Sequence, residues 1–411
     1  MRPRWWMAAA LLTLVLPALA FAQGSSSPVA PMSPEEHRAR GSDQTPRAPI
    51  PPRGYADDIQ AEKAAAAAAA ATAVPGPVQI DVSAAALGLP TAMAPNAPAL
   101  LTSFAGQTFL DSSSAPPDPV IAAGPNSLVA LTNGRARIYS KAGAVIATAP
   151  LTTFFAPAPG ESAFDPKVVF DPQSQRFFAA AVGTGDIFAF CSPGSCLAHY
   201  FLAVSTTDSP TTLDTTSWTF YTFDATLDGS TQTSNWADYP QLGLDNNVVV
   251  LTSNQFSFGS PSFQTAKIRV LNKAALLASN TSTTFVDFFG STLSDPGTFF
   301  LSFTIQPALH LDVPTDGSFF LVSSSRTFGS CDMIIWNITN TTTTPAITRQ
   351  IAAQGGSCTS APDAPQVGNS HLIDTGDTRL LNAVYRNGSL WGAHAIAGGP
   401  SGESVVDTAR K

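Results

Sequence analysis

The chain has 411 residues, a formal net charge of −8, and only 12% charged residues. Ser, Thr, Ala, Gly, Pro and Phe are plentiful, as in an exported β-protein whose surface is hydroxyl-rich rather than ionic. No Lys/Arg stripe is present to neutralise phosphates, which argues against a nucleic-acid partner.

Residues 1–22 read as an export signal. Arg2 and Arg4 form a basic start, Met7 to Leu19 an apolar core, and Ala20-Phe21-Ala22 a small-x-small cleavage site before Gln23. The apolar run is too short for a comfortable membrane span. No cysteine stands at the cleavage point to take a lipid, and no later segment is long and apolar enough to cross a bilayer. The expected mature chain is secreted or periplasmic, with no integral membrane segment.

Residues 23–98 read as a disordered linker rich in Pro, Ala and Ser. Its alanine tract, Ala64 to Ala71, favours helix by propensity but offers no apolar face to dock.

From residue 99 to 411 the pattern changes to short β runs separated by turn residues. The first unit offers Ser127 to Asn133 and Arg135 to Ser140. The second offers Lys167 to Phe170, Arg176 to Val182, Leu197 to Ser205 and Ser217 to Phe223. The third offers Gln241 to Leu244, Val248 to Ser253, Lys267 to Leu271 and Thr283 to Phe289. The fourth offers Ala308 to Leu311, Ser318 to Ser323, Met333 to Asn337 and Ala346 to Ile351.

A proline pattern returns with these units: Asp118-Pro119-Val120, Asp165-Pro166-Lys167-Val168, Asp238-Tyr239-Pro240-Gln241, Gln306-Pro307-Ala308 and Ala364-Pro365-Gln366-Val367. The spacing is too irregular for a solenoid and suits blades with loops of varying length. Proline cannot donate to a sheet ladder, so it belongs at the first residue of a strand or at an edge. Runs such as Val248 to Leu251 and Phe319 to Val322 are apolar on both faces, as strands packed between neighbouring sheets require. The expected fold is an all-β propeller of four-stranded blades. About five are visible, the fifth through Gln366 to Gly368, Leu380 to Arg386 and Leu390 to Ile396. Leu100 to Leu110 could supply a closing outer strand; alternatively the C-terminus is truncated and a sixth blade is missing.

The four cysteines all follow the export signal. Cys191 and Cys196 bracket the turn Ser-Pro-Gly-Ser, which suits a small disulfide loop and leaves Cys331 for Cys358. Four cysteines permit three connectivities, and neither pair has the CxxC spacing of a metal site.

Asp165-Pro166-Lys167-Val168-Val169-Phe170-Asp171-Pro172, followed by Gln175-Arg176-Phe177-Phe178, resembles the blade opening of sialidase-like β-propeller proteins of exported bacterial type. Trp236-Ala237-Asp238-Tyr239-Pro240 resembles another blade start of that group. Ser205-Thr206-Thr207-Asp208-Ser209-Pro210 with Ser217-Trp218-Thr219-Phe220 resembles a degenerate Asp-box, the turn between outer strands of sialidase blades, with its glycine missing and residues inserted. The resemblance spans about residues 105 to 396. It implies the propeller, but not the sialidase activity. That chemistry pairs a tyrosine nucleophile with a glutamate and binds the substrate carboxylate with arginines. Only Glu161 and Glu403 are available in this region, and neither is placed to partner a tyrosine.

Asp118, Asp165 and Asp238 stand at or just before innermost-strand starts, which converge at a propeller mouth. They are the candidate ligand- or ion-binding residues. Two carboxylates at a suitable separation could hydrolyse a glycoside. No cofactor is required, although a carboxylate ring of this kind is also what Ca²⁺ prefers. The local alternative is that each aspartate caps its own turn. His199, His310, His371 and His394 lack zinc spacing. Trp218, Trp236, Trp336 and Trp391 are either sugar platforms or wedges between blades. The sequence thus describes first a non-catalytic exported propeller that binds a glycan or an extracellular protein. Its second reading is a polysaccharide or glycoside hydrolase working through the mouth aspartates.

Overall fold

The computed structural model describes residues 23–42, 102–114, 116–279, 282–326, 330–353, 358–366, 369–397 and 406–408. The export signal and residues 43–98 of the expected linker lie outside the described residues. Strand β1 (Gln23–Ser25), helix α1 (Pro34–Gly41) and the short helix α2 (Phe109–Ser112) precede a series of antiparallel meanders.

Blade 1 is β2 (Val120–Ala123), β3 (Ser127–Leu131), β4 (Arg135–Ser140) and β5 (Val145–Pro150), hydrogen-bonded in that order. Helix α3 (Leu151–Phe155) leads to blade 2: β6 (Ser162–Asp171), β7 (Arg176–Thr184), β8 (Ala198–Ser205) and β9 (Trp218–Asp224). A small hairpin of β10 (Leu227–Asp228) and β11 (Thr231–Gln232) follows. Blade 3 is β12 (Asn235–Leu244), β13 (Val248–Ser257), β14 (Phe263–Asn272) and, after helix α4 (Lys273–Leu277), β15 (Phe285–Phe289). Blade 4 is β16 (Gln306–Pro307) with its continuation β17 (Leu309–His310), then β18 (Phe319–Ser324), β19 (Met333–Thr339) and β20 (Ala346–Ala352). A separate hairpin, β21 (Ala364–Gln366) with β22 (Asn369–Ile373), precedes β23 (Ala383–Arg386), β24 (Ser389–Ala395) and β25 (Val406–Thr408) of blade 5.

The packing explains why the strands are apolar on both faces. On β7, Phe177, Ala179 and Ala181 pack with Val129, Leu131 and Ile138 of blade 1. The alternate residues Phe178, Ala180 and Val182 pack with Trp236, Leu244 and Leu251 of blade 3. The period-2 alternation of a strand thus serves two neighbours at once. The same division recurs on β18: Phe319 and Leu321 join blade 3, whereas Phe320 and Val322 join Tyr385 and Leu390 of blade 5. Sheets stacked face to face in this radial sequence make the molecule a β-propeller. Trp218, Trp236 and Trp336 are at most 1% exposed within these interfaces, so they are wedges rather than sugar platforms.

The inner strands of blades 3, 4 and 5 also touch one another. Leu244, the last residue of β12, pairs in parallel with Leu309, and Leu309 with Val384 of β23. A side chain at Gly243 would strike the Ala308 carbonyl at 2.6 Å, so glycine permits this close approach. The axial space is pinched there.

Three expectations change. Part of the expected disordered linker is ordered: residues 23–42 form a strap across the rim. β1 adds a strand to the open edge of β15, with Gly24 opposite Asp287. Met32 and His37 are buried, and His37 Nε2 lies 2.9 Å from the Phe154 carbonyl oxygen. The sequence hid this because backbone pairing and two anchors hold the strap, not a periodic apolar face. Next, Leu100 to Leu110 does not supply an outer strand: residues 102–108 are irregular and α2 follows. Asp111 of α2 pairs with Arg137 of blade 1 at 2.8 Å. Finally, Pro365 lies in the β21–β22 hairpin, and the inner strand of blade 5 is Ala383–Arg386.

Both disulfides are formed, Cys191–Cys196 and Cys331–Cys358. No helix among the described residues is long and apolar enough to cross a membrane.

Candidate active site

The proline-bearing segments of blades 1 to 3 share an unusual backbone, just before β2 and inside β6 and β12 rather than at their starts. Asp118, Asp165 and Tyr239 have φ values of 43°, 52° and 51°, and each precedes a proline. For residues with a Cβ the left-handed region costs on the order of 1–3 kcal/mol, and such strain gathers at functional sites. In β6 and β12 it coincides with a bulge. The register with the next strand slips between Phe164 and Lys167, and between Asp238 and Gln241. A bulge re-aims the side chains around it. The backbone equivalent of Asp118 and Asp165 in blade 3 is therefore Tyr239, one residue past the aspartate that the sequence pattern aligns with them.

The bulges bring the three aspartates together. The carboxyl groups of Asp118, Asp165 and Asp238 lie within electrostatic reach of one another. Asn133, at the turn after β3, braces the pair. Its Nδ2–H donates to Asp118 Oδ2 at 2.7 Å, and its Oδ1 accepts the Asp165 N–H at 2.7 Å. Asp165 Oδ2 accepts the Tyr239 N–H at 3.2 Å, linking blade 2 to blade 3. The hydrogen bonds that Asp118 and Asp165 accept run between segments, from the Asn133 side chain and from the blade 3 backbone, rather than within each aspartate's own turn. Blade 3 repeats the brace in neutral form, with Asn254 Oδ1 accepting the Thr304 N–H at 2.8 Å and Asn254 Nδ2 donating to Thr304 Oγ1 at 2.9 Å.

Cations sit beside the carboxyls. Lys167 Nζ lies 5.2 Å and Arg379 Cζ 4.9 Å from the centre of the Tyr239 ring. Both separations are within cation–π range. Arg379 Nε donates to both oxygens of Asp377, at 2.8 and 2.7 Å. The three mouth aspartates keep partial contact with solvent, yet dense protein surrounds Asp165 and Asp238.

Burial is the largest influence on these groups because it disfavours their charged forms. It holds the Asp165 carboxyl well above the usual range, reinforced by the charges of Asp238 and Asp118 and opposed by Lys167. It pushes Asp238 up to about 6, with Arg379 and the Tyr239 N–H pulling down and Asp118 pushing up. It raises the Tyr239 hydroxyl to about 12 and lowers Lys167. Groups this strongly coupled titrate as a set.

Among the described residues no group of three or more His, Cys, Asp and Glu is arranged to hold a metal ion. The partners of the carboxylates are amides instead: Asn133 Nδ2 on Asp118 and the Tyr239 N–H on Asp165. Sequence reasoning missed Asn133, Lys167, Tyr239 and Arg379. For Lys167 there was a signal, since it stands two residues beyond Asp165 in the same strand. Nothing local marked Arg379, which arrives from blade 5.

The resembled Asp-box segment lies between β8 and β9. There Trp218 Nε1 donates to the Thr212 carbonyl at 2.9 Å, and Asp214 Oδ1 accepts the Thr216 N–H at 2.9 Å. It is a structural turn away from the aspartates.

No protein-family model and no curated protein matches the chain. Solved structures similar to it include an exo-β-1,3-galactanase from Clostridium thermocellum, with a TM-score of 0.34 and 11% identity over 71% of this chain and 58% of that one. A GH43 β-1,3-galactosidase bound to galactodeoxynojirimycin has a TM-score of 0.34 and 10% identity, over 73% and 90% of the two chains. The polysaccharide lyase Uly1 has a TM-score of 0.38 and 8% identity, over 71% and 57%. The chain thus spans little more than half of two of these proteins. With no matching family model, the sialidase-like resemblance stands at the level of the propeller.

Proposed function

We propose that this chain is an exported glycoside hydrolase whose acid and base are supplied by the mouth aspartates. The observation that carries the reading is the gathering of Asp118, Asp165 and Asp238 at one place, joined through Asn133 and the Tyr239 N–H. Carboxyls gathered this closely cannot all ionise cheaply, so one keeps a proton at neutral pH. Glycoside hydrolysis needs that combination, a carboxylic acid to protonate the leaving oxygen and a carboxylate to serve as base or nucleophile. Asp165 is the acid in this reading, and Asp238 is the base. Its titration near 6 suits a base working close to neutrality.

One observation favours the rival reading, a binding module without turnover: Asp118 and Asp165 also satisfy backbone or side-chain amide donors. Incubating the purified chain with a panel of oligosaccharides and polysaccharides separates the two. Release of reducing ends from at least one glycan is expected. Retention of a glycan at high enzyme concentration with no reducing ends released would favour the binding module and end the hydrolase reading.

A further inference from the structure

Trp218, Trp236 and Trp336 are buried between blades, whereas Phe190 stands 85% exposed. A single exposed ring means little by itself. What singles out Phe190 is the support beneath it. A methyl group on Gly259 would meet three successive ring atoms of Phe190, Cδ1, Cε1 and Cγ, at 2.3, 2.5 and 2.7 Å. Such near-equal distances place the Gly259 backbone under a face of the ring, not at its edge. Gly259 also has a φ of 81°, so its own conformation and the ring above it both require glycine there.

Phe190 belongs to the turn between β7 and β8, and Gly259 to the turn between β13 and β14. The Gly259 N–H donates to the Ile187 carbonyl at 2.8 Å, and the Ile187 side chain is buried in the core shared by blades 2 and 3. Ser234 Oγ donates to the Cys191 carbonyl at 3.1 Å, and the Cys191–Cys196 disulfide closes the turn immediately after Phe190. A ring held this way has little freedom left to lose on binding.

Both turns stand at the end of the propeller that carries the aspartates. β7 enters its turn at Thr184, opposite Ser162, and β13 enters its turn at Ser257, opposite Asn235. Asp165 and Asp238 lie three residues in from Ser162 and Asn235, about 10 Å deeper at a strand's rise per residue. Around Phe190 the two turns are hydroxyl-rich, with Ser192, Ser195, Ser260 and Ser262, and carry one charged residue, Asp186. That setting suits one occupant. A neutral pyranose offers C–H groups to the negative face of the ring and hydroxyls to the serines. An anionic ligand would find no cation in either turn, and a protein partner needs a far larger patch than one supported ring.

We propose that Phe190 is a glycan platform on the rim, stacking on a neutral sugar unit of a chain whose other units enter the mouth. The proposal deepens the glycoside hydrolase reading and rests on it for the course of that chain.

The test is affinity electrophoresis of the wild type, Phe190→Ala, Phe190→Leu and Phe190→Trp in gels containing laminarin, arabinoxylan, galactan or dextran, with reducing ends measured on the same polysaccharides. Because the ring is exposed, all four chains are expected to melt at the same temperature. At least one gel is expected to retard the wild type. There Phe190→Ala and Phe190→Leu lose affinity by about threefold to tenfold, and Phe190→Trp keeps it. Where the polysaccharide is cleaved, the loss appears as a raised KM with kcat unchanged, since the ring stands away from the reacting bond. Equal retardation of the wild type and Phe190→Ala, or no retardation of the wild type in any gel, overturns the proposal. Lost retardation in a protein that releases no reducing ends leaves the platform standing and defeats the hydrolase reading alone. Reducing ends released with the same KM by the wild type and Phe190→Ala do the reverse.

Discussion

Asp165→Asn and Asp238→Asn are expected to abolish turnover while stabilising the fold at neutral and alkaline pH. Removing a positioned acid or base typically costs about 10²–10⁴-fold in rate. The stability effect runs the other way because both carboxyls titrate above their ordinary value in the folded state. Between the ordinary value near 4 and the raised one, the folded chain holds a proton that the unfolded chain has released, so stability falls as pH rises through that window. For Asp238 the window closes at about 6. Discounted for its partial exposure, the cost of ionising it is on the order of 1–2 kcal/mol above that pH. An asparagine carries no such cost. Melting curves of Asp238→Asn and wild type should coincide near pH 4 and separate by a few degrees at pH 8, the variant melting higher. A variant that melts lower at both pH values would show that the aspartate is there only to hold the bulge.

Asp287→Ala is expected to cost the most stability of any single change in blade 3. Arg269 and Asp287 are fully buried and make two parallel bonds, Nε to Oδ1 and Nη2 to Oδ2, both at 2.8 Å. Arg269 further donates to the Asp224 carbonyl at 2.8 Å, and its guanidinium lies 3.5 Å from the centre of the Phe285 ring. Asp287 also accepts the Gly229 N–H, tying the β10–β11 hairpin to the blade on which β1 is laid. Removing one partner leaves an uncompensated charge in the interior, about 3–5 kcal/mol, whereas an apolar pair of similar volume is often neutral. Urea unfolding of Asp287→Ala, Arg269→Met and the combined Arg269→Met/Asp287→Leu chain reads this directly. The expected pattern is two severely destabilised single variants and a double variant close to the wild type. A loss below about 1 kcal/mol for Asp287→Ala would show that water reaches the pair.

The propeller was legible because it is written in local terms. The recurrent prolines marked the inner strands, although Pro166 and Pro240 sit at bulges inside β6 and β12, where no ladder N–H is needed, rather than at strand starts; strands such as Val248 to Leu251 are apolar on both faces because blades lie on both sides. Strands that face two partners carry their own signature. The strap was not legible: β1 has no apolar residue, and its place depends on the open edge of β15 more than 250 residues away. The fifth proline misled for a related reason, since a hairpin can begin with proline as well as a blade can.

The site was legible in part. Asp118 and Asp165 were marked by the dipeptide that also sets their backbone, and Asp238 by proximity to the third proline. The one-residue offset in blade 3 was not visible, because only the bulge shows that Tyr239 takes the left-handed position. Asn133 and Arg379 were invisible for want of any local motif; the closing of the ring brings them to the aspartates.

The proposed chemistry requires a proton held on Asp165 among the mouth carboxyls at neutral pH. Neutron diffraction from deuterated crystals at pH 7 locates it. A deuteron on the Asp165 carboxyl, with the Asn133 amide donating to Asp118, is the predicted map. Two bare carboxylates turned apart onto their own turns would contradict it.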